Sequence, residues 1–200
     1  MKLKYLVVTR YTSGLKNKLK DVRELMLTAP AIDDVVFDIK EANLGKPDTY
    51  NDSEKKVRIT EQWFEKNISK EARPKGYDGA IFLYSMRDGS RWRVDSGLRG
   101  STFRDDDGFG EMWVKGDKNS KTRYRVGPVR DRIAKTIAHE IAHDMKHRGF
   151  TTLEIHDFDY KDSINNIEGF WLKFVLQTDK PSLLKQLQMN LARLLGIRNT

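Results

Sequence analysis

The segment Ile133–His147 reads Ile-Ala-Lys-Thr-Ile-Ala-His-Glu-Ile-Ala-His-Asp-Met-Lys-His, and it constrains the chain more than any other. Ile133, Ile137 and Ile141 recur every four residues, and Ala134, Ala138 and Ala142 flank them with small side chains. That spacing predicts a helix with one apolar face against a core. Gly127-Pro128 offers a start, with proline at a first helical position where its missing N–H costs nothing. Gly149 is placed to end the helix in the left-handed conformation. At about 100° per residue, His139 and His143 project roughly opposite the isoleucines, toward a cleft rather than the core. Positions i and i+4 of a helix have Cβ atoms about 5–6 Å apart. Two imidazoles so placed can reach one metal ion at a Zn–N distance of about 2.0–2.1 Å. Glu140 then stands beside the ion rather than on it, where a general base for an activated water is needed.

The pattern His-Glu-x-x-His arises by chance on the order of once in a few hundred chains of this length, so spacing alone is only suggestive. The alternative is a surface helix whose two histidines and glutamate face water. The isoleucine and alanine neighbours, and the punctuation at both ends, favour a helix built into a core with the histidines on its functional side.

On these residues the chain resembles the zincin metallopeptidases. The resemblance implies that His139 and His143 bind one zinc ion per chain, that Glu140 polarises the attacking water, and that a third ligand comes from downstream. That ligand is a Glu in gluzincins and an Asp in aspzincins; metzincins use the last His of HExxHxxGxxH, followed by a Met-turn. Here the metzincin positions for Gly and the third His are Lys146 and Gly149, and no Met follows before Met189. The third ligand is therefore argued physically. His147 lies eight residues beyond His139, about 12 Å along a helix, too far to share an ion unless the helix breaks. His156 follows Gly149-Phe150-Thr151-Thr152, a turn that lets the chain reverse beneath the helix. It is flanked by Asp157 and Asp159, carboxylates able to orient an imidazole. Glu168 is similar in place to the gluzincin downstream Glu. His156 is the first choice, then Glu168 and His147, with Asp157 or Asp159 after them. The competing reading of His156 is an ordinary loop histidine. Tyr160 is a candidate to stabilise the oxyanion.

Two hundred residues suit one domain, or one with appendages. With no cysteine there are no disulfides and no Cys-ligated metal. The N-terminus, Met-Lys-Leu-Lys-Tyr-Leu-Val-Val-Thr-Arg, reads as a strand and not as a signal peptide. No stretch approaches the roughly 18 apolar residues of a membrane span. A cytoplasmic setting is the expectation. A net charge of +8 raises nucleic acid as a partner through a basic surface. The richest runs are Lys16, Lys18, Lys20 and Arg23, then Arg87, Arg91, Arg93, Arg99 and Arg104; interspersed acidic residues make a solvated surface the simpler reading. Charge makes the SprT-like proteases, which act on nucleic-acid-bound proteins, a subtype to test. Size and motif are similar to those of compact single-domain zincins of phages and small genomes.

Along the chain, 3–10 reads as a strand, 13–27 as a helix capped by Ser13, and 34–40 as a second strand parallel to the first. Residues 43–56 read as a polar loop, 60–67 as a short helix with Trp63 and Phe64 inward, and 78–85 as a central strand. Weaker strands are expected at 91–95, 109–115 and 121–126. Asp105-Asp106-Asp107-Gly108 lacks the spacing of a calcium loop and reads as a turn. Helices are expected at 165–176 and 182–195; the latter's leucine face suits a membrane surface or a partner, but more simply packs on its own domain. The fold class is α+β with a mixed α/β sheet. The resemblance makes it zincin-like: a twisted N-terminal sheet over 1–149, ending in the His-Glu-x-x-His helix, and a small helical subdomain over 150–200. In zincins an antiparallel edge strand just ahead of the active-site helix binds extended substrate, and by position Phe109–Val114 or Arg123–Val126 takes that part. The expected function is zinc-dependent cleavage of protein or peptide substrates. The alternative is a basic nucleic-acid- or partner-binding module in which the histidines are structural or vestigial.

Overall fold

The computed structural model describes residues 1–10, 14–45, 47–51, 57–85, 100–103, 108–116, 132–155 and 166–176. They form a mixed α/β structure built on a five-stranded sheet. Its strands are β1 (Lys2–Thr9), β2 (Asp34–Glu41), β5 (Gly79–Ser85), β6 (Gly100–Phe103) and β7 (Gly110–Gly116), in the spatial order β2-β1-β5-β7-β6. β2, β1, β5 and β7 run parallel, and β6 lies antiparallel on the outer side of β7. A separate antiparallel pair is formed by β3 (Thr49–Asn51), within the stretch expected to be loop, and β4 (Val57–Ile59), just after it.

The two central strands are apolar in unbroken runs, Tyr5–Val8 in β1 and Ala80–Leu83 in β5, because both faces of the sheet are covered there. Tyr5, Val7, Ile81, Leu83, Met112 and Val114 turn to one side. There they meet α1 (Leu15–Met26), α4 (Arg132–His147) and α5 (Asn166–Lys173) in one hydrophobic cluster. Ile155, Ile167, Phe170, Trp171 and Phe174 belong to that same cluster, so described residues on both sides of position 149 share a core. Leu6, Val8, Ala80, Phe82 and Trp113 turn to the other side and pack on Trp63, Phe64 and Ile68. Those three come from an irregular helical stretch: α2 (Glu61–Phe64), a π-helical turn (Glu65–Ser69), α3 (Lys70–Ala72) and a 3-10 turn (Arg73–Lys75). Thr60 caps it, its hydroxyl accepting from the Trp63 N–H.

Two expectations change. Phe109–Val114 is not an edge: β7 is hydrogen-bonded to β5 on one side and β6 on the other. Among the described residues the antiparallel edge is Gly100–Phe103, a stretch with no apolar alternation to mark it. Helix α1 begins one residue past Gly14, which sits at φ 71° as its N-cap without a side-chain cap; Ser13 lies outside the described residues. Also outside are the strands expected at 91–95 and 121–126 (with Arg123–Val126), the turn at Asp105–Asp107, the Gly127-Pro128 start and the helix at 182–195. Among the described residues, no helix is long and apolar enough to cross a membrane.

Candidate metal centre

Helix α4 lies on the sheet as its isoleucine and alanine pattern requires. Ala134, Ile137, Ala138, Ile141, Ala142 and Met145 are fully buried, and Ile133 packs at the margin of the core. The small alanines let the helix backbone approach β7. Gly149, at φ 70°, follows the last turn as expected. With that face fixed, His139 and His143 emerge together on the other, both half-buried.

Their rings meet edge-on with centroids 4.7 Å apart, and the two Nε2 atoms are 3.0 Å from each other. Two imidazole lone pairs at that separation repel unless a shared proton or a cation lies between them. Two nitrogens bound to one tetrahedral zinc, each at about 2.05 Å, stand about 3.3 Å apart. The pair therefore fits an ion with only a small outward adjustment.

Glu140 is 6% exposed. Its carboxylate Oε2 accepts a 2.8 Å hydrogen bond from the Thr102 hydroxyl, which also lies 3.0 Å from Glu140's own backbone oxygen. Thr102 belongs to β6 and pairs with Met112. Residues directly opposite each other in a sheet share a face, and Met112 points to the α4 side. The antiparallel edge strand thus touches the glutamate of the motif, a contact that sequence reading missed.

The other candidate ligands fall as follows. His147 continues the row one turn on, exposed, its ring 6.1 Å from that of His143. Glu168 on α5 stands 3.5 Å from Lys135 Nζ. Lys135 is buried one turn before His139 on the same row of the helix. His156, Asp157, Asp159 and Tyr160 lie outside the described residues. Among the described residues, no set of three or more His, Asp, Glu or Cys side chains converges to hold an ion. The described donors thus suit two positions of a metal site.

Asp144, next to His143, anchors the helix to the sheet. It is 2% exposed and takes hydrogen bonds at 3.2 Å from the Tyr5 phenol and the Arg148 guanidinium. Arg148 also donates to the Asp78 carbonyl at 3.0 Å, and Asp78 in turn accepts from the Lys4 N–H and, through that carbonyl, from the Gly110 N–H. These contacts tie β1, β5, β7 and α4 at one end of the sheet. Burial pushes the Asp144 carboxyl up to about 6, against the opposing pull of Arg148 and Tyr5. Burial, and secondarily the Asp144 charge, hold the Tyr5 phenol well above its usual value, so it stays a donor.

No protein-family model matches the sequence, and no curated protein matches it significantly.

On the far face of the sheet, Glu111 is buried beside the Ser69 hydroxyl and 3.4 Å from Arg73, which also pairs with Glu65. Arg73 lies over the Phe109 ring at 5.0 Å. This group lies across the sheet from α4.

Proposed function

We propose that the chain is a zinc-dependent metallopeptidase. The observation that carries this reading is the approach of His139 and His143 Nε2 to 3.0 Å on the helix whose Glu140 carboxylate is held by the edge strand. His139 and His143 would hold the metal with a third donor from beyond α4, His156 first. Zinc in that position supplies a Lewis acid that polarises a peptide carbonyl and acidifies water.

The protein's own groups do the rest. Glu140, shielded from solvent, takes one proton from the water as its oxygen bonds to the carbonyl carbon. It returns that proton to the amide nitrogen as the C–N bond breaks, and the proton left on the new carboxyl group passes to the amine, so the products are a carboxylate and an ammonium. Beyond β6 there is no further strand among the described residues. Its outer N–H and C=O groups suit an extended peptide, which main-chain pairing holds without demanding particular side chains. The zincin-like fold belongs to the same proposal, supported by an antiparallel edge strand against the motif helix.

Protein purified without chelator is expected to carry about one zinc per chain and to cleave dye-labelled casein. His139→Ala loses the zinc. Glu140→Gln keeps the zinc and loses cleavage. Cleavage that persists in Glu140→Gln at the wild-type rate rules the mechanism out.

A further inference from the structure

We propose that Thr102 is the residue through which the β6 edge sets the Glu140 carboxylate, so that pairing of an extended peptide along β6 and alignment of the base are one event. The inference rests on the peptidase reading.

One hydroxyl touches both the carboxylate, at 2.8 Å, and the backbone oxygen, at 3.0 Å, of the same residue. Those two contacts hold one hydroxyl against both the side chain and the backbone of Glu140. Glu140 is buried, so its orientation depends on protein groups more than on water. Threonine is β-branched and stiff at χ1, so its hydroxyl goes where the β6 backbone goes. Among the described strands of the sheet, β6 is the shortest. It is four residues long, paired to β7 across Gly100–Val114 to Phe103–Glu111. Short edge elements with few backbone bonds belong to the low-stability end of a structure. Among the described residues β6 has no strand on its outer side, and a peptide adding there supplies a ladder of main-chain bonds. It thereby holds Thr102, and through Thr102 the base. Peptide residues remote from the cleaved bond then contribute to turnover as well as to binding.

The experiment uses the full chain and three variants, Thr102→Val, Thr102→Ser and Glu140→Ala, alone and combined. With zinc chelated, Thr102→Val is expected to lower the thermal midpoint by roughly 4–8 °C, and by less than half as much when Glu140 is already Ala. Equal shifts in both backgrounds overturn the contact.

With zinc restored, the substrates are a casein fragment that the wild type cleaves and versions trimmed one residue at a time from one end. Thr102→Val is expected to keep its zinc, to lose roughly 10–100-fold in kcat and to change KM little; Thr102→Ser recovers most of that loss. Trimming the fragment lowers kcat in the wild type and raises only KM in Thr102→Val. If trimming moves the same constant in both proteins, the coupling is refuted while zinc binding and cleavage stand. If the wild type neither holds zinc nor cleaves, the peptidase reading falls and takes this inference with it.

Discussion

Gly110→Ala reports directly on how the motif helix is seated. A Cβ at position 110 meets Asp144 Oδ1 at 2.5 Å, Cγ at 2.6 Å and Oδ2 at 2.8 Å. Ordinary contacts begin near 3.5 Å, so the carboxylate must retreat by about 1 Å. It has little freedom to do so: Asp144 is a short side chain, buried, with the Tyr5 and Arg148 bonds already 3.2 Å long. A further ångström breaks both. Each bond to a charged group contributes about 1.5–3 kcal/mol, while alanine in a strand recovers about 0.5–1 kcal/mol over glycine. The net loss is about 2–5 kcal/mol. A chain of this size shifts about 2–4 °C per kcal/mol, so the thermal midpoint should fall by roughly 4–20 °C. Thermal and urea denaturation of Gly110→Ala, Asp144→Ala and the double variant measure this. In the double variant the added methyl faces a smaller side chain, so the two losses should fall short of additivity by at least about 1.5 kcal/mol. A Gly110→Ala protein as stable as the wild type, or strict additivity, refutes the docking of α4 through Asp144.

Two other perturbations test the buried charges. Because burial lifts the Asp144 carboxyl from 3.8 to about 6, between those pH values the folded chain holds a proton that the unfolded chain has released. Stability therefore falls as pH rises through that window, by at most about 3 kcal/mol, and levels above it. Asp144→Asn should remove that component from urea midpoints measured between pH 4 and pH 7; identical pH slopes in both proteins contradict it. On the opposite face, Arg73→Ala removes a cation from beside the buried Glu111 and should cost about 3 kcal/mol. The double replacement Arg73→Met with Glu111→Met should recover most of that loss. A double variant no more stable than Arg73→Ala contradicts the pairing.

What the sequence made legible follows the range of the interactions involved. Helix α4 and the His139–Glu140–His143 placement depend on spacing within a few turns, so the isoleucine stripe and the i, i+4 histidines sufficed. The strands β1, β2 and β5 declared themselves by apolar runs, and the β1-α1-β2 order implied the parallel pairing observed. β6 did not, because Gly-Ser-Thr-Phe has neither alternation nor length; its strand character comes from pairing with β7. That omission moved the expected edge onto Phe109–Val114, although Met112-Trp113-Val114, apolar on both faces, already marked an interior strand. Thr102 was invisible for the same reason. Nothing in the sequence singled out Asp144, since only the tertiary fold sets it against Gly110, Tyr5 and Arg148. A third metal ligand depends on how the chain returns to α4, which local spacing does not encode.

The most direct test is anomalous X-ray diffraction at the zinc edge on crystals of protein never exposed to chelator. A single peak within about 2.0–2.1 Å of both His139 and His143 Nε2, with Glu140 outside bonding distance, is the expected result. Zinc-supplied crystals with no peak between those two nitrogens, the imidazoles instead sharing a proton, contradict the metallopeptidase account.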